Sequence, residues 1–100
     1  LAVPCQACVD FTPGSTFLAE LHAAGVTRPR VQYSTIATRT SVLIEVAETR
    51  LPSASNVRNL LVQDICPRST VNHVEMVYDD AALQIAQNEL NPSRAQPVIC

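Results

Sequence analysis

Apolar positions along the chain fall into groups with different periods, separated by stretches rich in proline, serine and asparagine. Phe17, Leu18, Leu21 and Ala24 recur at helical spacing, which predicts a helix over residues 16–24. The cluster Thr12-Pro13-Gly14-Ser15 just before it supplies helix-start chemistry: Thr12 or Ser15 as cap, proline in the first turn. Gly25 is placed to close that helix at its C-terminus. Residues 31–38, Val-Gln-Tyr-Ser-Thr-Ile-Ala-Thr, are β-branched and aromatic, and predict a strand that Arg39-Thr40-Ser41 ends. The apolar run Val42-Leu43-Ile44 follows, and residues 46–51 carry no decisive pattern. Pro52-Ser53-Ala54-Ser55-Asn56 is loop by composition. Residues 57–65 predict a second strand, with Leu60-Leu61-Val62 as a continuous apolar centre of the kind a parallel strand buried on both faces shows. Cys66-Pro67 is expected to stop it, because proline has no N–H for a ladder. A polar loop leads to His73, and Asp79 or Asp80 caps a last helix over residues 81–90 with Leu83, Ile85, Ala86 and Leu90 available for burial. Asn91-Pro92 ends that helix, and the tail to Cys100 reads as coil.

The resulting order of helix, strand, loop, strand, loop and helix predicts an α/β fold with a parallel pair. Two or three strands make a thin sheet with open edges, which suits the end of a larger α/β domain. One hundred residues bound this to a single domain at most. Net charge is −2, and the seven basic residues are all arginines scattered between positions 28 and 94. No basic stripe results, so no nucleic-acid partner is expected. No apolar run approaches the roughly 18 residues of a membrane span. The opening Leu1-Ala2-Val3-Pro4 lacks the basic start of a signal peptide, and reads as a processed or truncated piece.

Four cysteines in so short a chain point to an oxidising compartment and disulfides, though three pairings are open. Cys5 and Cys8 form a Cys-x-x-Cys. A redox role for such a motif wants it at a helix N-terminus. Pro13 and the pre-proline Thr12 argue against a helix through it, so a structural disulfide is the favoured reading. A zinc site from Cys5, Cys8, Cys66, His73 and Cys100 would need a second Cys-x-x-Cys or a finger spacing, and the chain has neither. Ser15, next to Gly14, reads as a cap and not as a nucleophile, since Pro13 and Phe17 flank it where an elbow requires small residues. His22 reads as a solvated helix residue. His73 is the candidate with chemistry, because reactive groups of open α/β sheets gather beyond the carboxyl ends of the strands.

Several stretches, in order, resemble the C-terminal part of secreted class 2 lipases, the α/β-hydrolases of actinobacteria and fungi similar to the fungal lipase B group. They are Thr12-Pro13-Gly14-Ser15-Thr16-Phe17-Leu18, Tyr33-Ser34-Thr35-Ile36-Ala37-Thr38-Arg39, Asn56-Val57, Gln63-Asp64-Ile65-Cys66-Pro67, His73, and the ending from Leu90-Asn91-Pro92 to Cys100. The resemblance spans nearly the whole chain. It implies a partial α/β-hydrolase fold over residues 1–100, with C-terminal parallel strands and flanking helices. It also implies a secreted enzyme that hydrolyses carboxylic esters of the acylglycerol type, with an ester or lipid as its substrate partner and no cofactor or metal. His73 matches the general base that deprotonates a serine and reprotonates the leaving alkoxide. Cys66 and Cys100 match a family disulfide. Cys5 and Cys8 are then left to pair with each other, or one of them with a cysteine upstream.

Two departures qualify what the resemblance implies. The Gly-x-Ser-x-Gly elbow and oxyanion hole belong to the N-terminal half of the fold, and with only Gly14 and Gly25 these residues cannot supply the elbow. The family acid falls at Ser41, where a hydroxyl cannot hold an imidazolium by charge. Glu45 is the nearest substitute and Asp64 is placed too far down the strand; an ordinary solvated glutamate is the alternative reading of Glu45. The expectation is therefore a segment that is inactive by itself. The rival expectation is a non-catalytic degenerate paralogue, a small disulfide-stapled secreted interaction protein.

Overall fold

The computed structural model describes residues 5–100; the Leu1–Pro4 opening, and with it the reading of the chain's start, lies outside the described residues. The chain divides into two compact units, Leu1–Val31 and Gln32–Cys100.

In the first unit, helix α1 spans Gln6–Asp10 and α2 spans Thr16–His22. Helix α1 corrects the sequence expectation, since it runs through the Cys-x-x-Cys. Cys5 is its N-cap and its Sγ accepts the Cys8 N–H at 3.1 Å. Pro13 does not prevent this, because α1 ends at Asp10 and Thr12 is already in the turn. Ser15 caps α2 by accepting the Leu18 N–H at 3.1 Å, and its hydroxyl donates back to the Asp10 carbonyl. Both capacities of that hydroxyl are thus committed to backbone. Helix α2 ends at His22, and Gly25 takes φ +82°, a left-handed conformation that costs glycine nothing. The Arg28 guanidinium donates to the Gly25 carbonyl at 2.9 Å, a favourable place for a cation at a helix C-terminus. Phe17 and Leu21 of α2 are exposed, and an edge-on contact of Phe17 with Phe11 joins the two helices.

The second unit is built on two parallel strands, β1 (Tyr33–Ala37) and β2 (Val57–Leu61), paired Tyr33 with Val57 through Ala37 with Leu61. The connection carries the short helix α3 (Val46–Thr49), where residues 46–51 gave no pattern. On one sheet face the Thr35 hydroxyl donates to Asn59 Oδ1 at 2.9 Å. The Asn59 amide in turn binds both the N–H and the carbonyl of Leu51, so one side chain acts as a strand partner for the crossover. On the other face lies α5 (Asp80–Leu90). Glu89 of α5 accepts from Ser34 of β1 at 2.6 Å and pairs with Arg58 of β2 at 3.1 Å, clasping both strands.

The second strand is shorter than its apolar run predicts. It stops at Leu61, and Val62–Ile65 form one turn of helix, α4, with the Cys66 N–H donating to the Val62 carbonyl at 2.7 Å. Because β1 ends at Ala37, residues past Leu61 have no ladder partner, and a helical turn satisfies their backbone instead. The same turn drives Val62 and Cys66 into the core, where they meet Val71, Ala81, Ala82 and Ile85. Asp79 caps α5 through the Ala82 N–H at 2.9 Å. The buried face of α5 is Ala81, Ala82 and Ile85, whereas Leu83 and Leu90 are exposed, contrary to the sequence expectation. The small alanines allow the helix to approach closely; Leu90, in its last turn, is 86% exposed.

Candidate functional site

Both strands end in a polar cluster. Thr38 directly follows β1 and Gln63 lies in the turn that directly follows β2, and both are buried. The Gln63 amide donates to the Thr38 hydroxyl at 2.9 Å and to the Ser69 carbonyl at 3.1 Å, and accepts the Arg39 N–H at 3.0 Å. Thr38 donates to the Val71 carbonyl at 2.7 Å, and Thr40 donates to the same oxygen. The loop after Cys66 is thereby fixed to the C-terminal ends of both strands. Such a cluster is tolerated in a low-dielectric place because its members satisfy one another.

His73 follows two residues after that anchor. Asn72 Oδ1 accepts the N–H groups of Val74 and Glu75, each at 3.0 Å, while Glu75 Oε2 accepts the Asn72 N–H at 3.0 Å. This reciprocal arrangement has the logic of a capping box and opens a short 3₁₀ turn, Glu75–Val77. The backbone of His73 is thus held from both sides. Its imidazole is exposed, and no hydrogen bond or ion pair reaches it among the described residues.

The other sequence candidates are occupied elsewhere. The Ser41 hydroxyl accepts the N–H groups of Ile44 at 3.2 Å and Leu43 at 3.4 Å, shaping its own loop. Glu45 occupies the N-cap position of α3, where its N–H donates to Glu48 Oε2 at 2.9 Å. Neither is hydrogen-bonded to His73. Asp64 faces Arg39 across 3.6 Å with both side chains largely exposed, a pair of little energetic weight. An open cleft of about 790 Å³ lies beside the histidine loop, between Arg68, Ser69 and Thr70 on one side and Glu75, Asp79 and Asp80 on the other. His73, Ser41 and Glu45 do not line it.

The four cysteines are joined as Cys5–Cys8 and Cys66–Cys100, with Cα separations of 5.1 and 5.5 Å. The second bridge ties the end of α4 to Cys100. All four sulfurs are therefore bonded, and no group of three or more metal-ligating side chains occurs among the described residues. Two disulfides in so small a chain are compatible with an extracellular protein. No helix among the described residues is long and apolar enough to cross a membrane. In comparisons with known proteins, no family model and no curated protein matches the chain.

Sequence reasoning missed Gln63, Thr38 and the Asn72–Glu75 pair. Gln63 was hidden inside an apolar run read as strand. The Asn-x-x-Glu spacing of Asn72 and Glu75 was a visible signal, since it is the spacing of a helix start. Gln63→Leu keeps the volume but leaves the Ser69 carbonyl and the Arg39 N–H without their partner. It is expected to cost about 2 kcal/mol of stability. Thr38→Val breaks the same cluster, so the double variant should cost less than the sum of the two. Urea unfolding of the four proteins measures both effects.

Proposed function

We propose that residues 1–100 form the histidine-bearing, C-terminal region of a secreted serine hydrolase of the lipase and esterase type. In this reading the fold is part of an α/β-hydrolase, and the substrate is a carboxylic ester of the acylglycerol class. The observation that carries the reading is the anchoring of the His73 loop to the carboxyl ends of two parallel strands through Gln63, Thr38 and Val71. The order of the lipase-like stretches and the Cys66–Cys100 bridge support it. His73 acts as the base. It takes the proton of a serine supplied from outside these residues, the serine attacks the ester carbonyl, and the imidazolium returns the proton to the departing alkoxide. A reaction of this kind is carried by side chains and needs no metal.

One observation favours a second reading. The position of the acid is Ser41, and among the described residues no carboxylate is hydrogen-bonded to His73. That is the state of a non-catalytic, disulfide-stapled secreted protein descended from a hydrolase.

Expression of the full coding sequence, followed by a serine-directed fluorophosphonate probe and a p-nitrophenyl ester assay, separates them. The hydrolase reading expects one labelled serine outside residues 1–100, ester turnover by the full product, and none by the 100-residue chain alone. A full product that neither labels nor turns over the ester decides for the second reading. A 100-residue chain that hydrolyses the ester at a rate lost on His73→Ala would sink the division of the catalytic groups.

A further inference from the structure

We propose that Cys5–Cys8 is an exchangeable disulfide, a clasp that a thiol reductant opens and mild oxidation closes while Cys66–Cys100 stays shut. Two observations separate the two bridges. The first is access: the short bridge joins exposed Cys8 to half-buried Cys5, whereas the long bridge joins exposed Cys100 to Cys66, which is 2% exposed and belongs to the core. The second is the leaving group. Cys5 Sγ already accepts the Cys8 N–H at 3.1 Å, so a thiolate released there keeps a hydrogen-bond donor. A thiolate released at Cys66 would be formed among Val62, Val71 and Ile85, where desolvation disfavours it.

The exchange balances in two steps. A thiolate of a small or protein dithiol attacks Cys8 Sγ, the Cys5–Cys8 bond breaks, and the electron pair leaves on Cys5 Sγ. The reductant's second thiolate then attacks its own sulfur in the mixed disulfide, forming the reductant's disulfide and releasing Cys8. Both protein sulfurs take protons from solvent; the reductant is oxidised and the clasp reduced by two electrons. Closing is favoured because the reduced cysteines remain neighbours. The Val9 N–H donates to the Cys5 carbonyl and the Phe11 N–H to the Ala7 carbonyl, a helical turn that does not depend on the S–S bond. The hydroxyls of Thr12 and Ser15 hold the Val9 and Asp10 carbonyls from the following turn.

The test uses the 100-residue chain with both bridges formed, titrated with dithiothreitol, quenched by alkylation and mapped by peptide mass. Cys5 and Cys8 are expected to become alkylated together at a reductant concentration at least about fivefold below that for Cys66 and Cys100, because only the short bridge releases a hydrogen-bonded thiolate outside the core. Transfer to a glutathione buffer of mildly oxidising poise should restore Cys5–Cys8. With reduced glutathione as the probe and a rapid quench, the mixed disulfide should sit on Cys8 with Cys5 alkylated. Opening of the two bridges less than fivefold apart, opening of Cys66–Cys100 first, or failure of Cys5–Cys8 to re-form overturns the proposal. Glutathione found on Cys5 overturns the assigned direction of attack.

Discussion

His73→Ala is expected to lower ester turnover by the proposed full enzyme about 100-fold, and not the millionfold seen when an intact triad loses its histidine. The reason is non-additivity. In a serine protease dismantled residue by residue, loss of the acid alone costs about 3 × 10⁴ in kcat, and loss of the histidine about 2 × 10⁶. A chain with Ser41 in place of the acid has already lost the larger share, and the histidine governs the remainder. The stability of the variant should stay within about 0.5 kcal/mol of the parent, because the side chain is exposed and touches no hydrogen-bond partner among the described residues. Activity and stability thus separate, and a denaturant melt alongside the kinetic assay checks that they do.

The companion variant is Ser41→Asp. Aspartate can accept the Leu43 and Ile44 N–H groups as the serine does, so the loop should keep its shape. If the lipase-like register is right, kcat rises at least tenfold, and His73→Ala in that background becomes far more costly than in the parent. An unchanged kcat in Ser41→Asp, with the loop folded, would show that the carboxylate at position 41 does not reach His73.

The caps were the most legible part of the fold. Ser15 and Asp79 act where helix-terminus chemistry puts them, because a cap is a local contract between one side chain and the next three residues, whereas Gly25 lies two residues past the Ala23 cap of a helix that ends earlier than expected. The end of β2 was illegible for the opposite reason. Leu60-Leu61-Val62 has the composition of a buried strand, yet whether Val62 continues a ladder depends on the length of β1, which is set some twenty residues earlier. Helix α1 was illegible locally: Pro13, eight residues after Cys5, does not bar a helix that needs only the residues up to Asp10. The apolar periodicity of α2 and α5 identified helices, and in α5 it marked the buried Ile85 together with the exposed Leu83 and Leu90. Ala81 and Ala82 count little in any hydropathy pattern, and they are what allows α5 to lie against the core.

The site was legible in its residues but not in its support. His73 was visible as the one histidine placed after a core strand. What holds its loop was not, since Thr38, Gln63 and the Val71 carbonyl come from three separate segments, and a main-chain carbonyl leaves no mark on a sequence. Glu45 stands out in the sequence for its charge and its nearness to Ser41, whereas its place at the start of α3 depends on Glu48, three residues on.

Replacing Cys66 and Cys100 together by alanine is expected to destabilise the second unit by about 4 kcal/mol, the chain-entropy value for a loop of this length. The separation of 34 residues takes in His73, the 3₁₀ turn, α5 and the tail, so the bridge restrains most of what packs against the sheet. Cys66 adds a packing share of its own, because it is 2% exposed and contacts the core cluster; alanine is the smaller perturbation there, since serine would bury a hydroxyl. The matching change at Cys5 and Cys8 closes a separation of 3 residues and should cost about 2 kcal/mol by the same model. The two double variants therefore have a fixed order in a urea titration, with Cys66→Ala/Cys100→Ala the lower midpoint. For a domain of this size, stability of about 5–15 kcal/mol is the ordinary range. A loss of 4 kcal/mol is then large enough to free the tail and α5 from the sheet, and with them the floor beneath the histidine loop. In the proposed enzyme that variant should lose ester turnover at temperatures where His73→Ala remains fully folded. Equal midpoints for the two double variants would show that the long bridge merely joins residues the core already holds together.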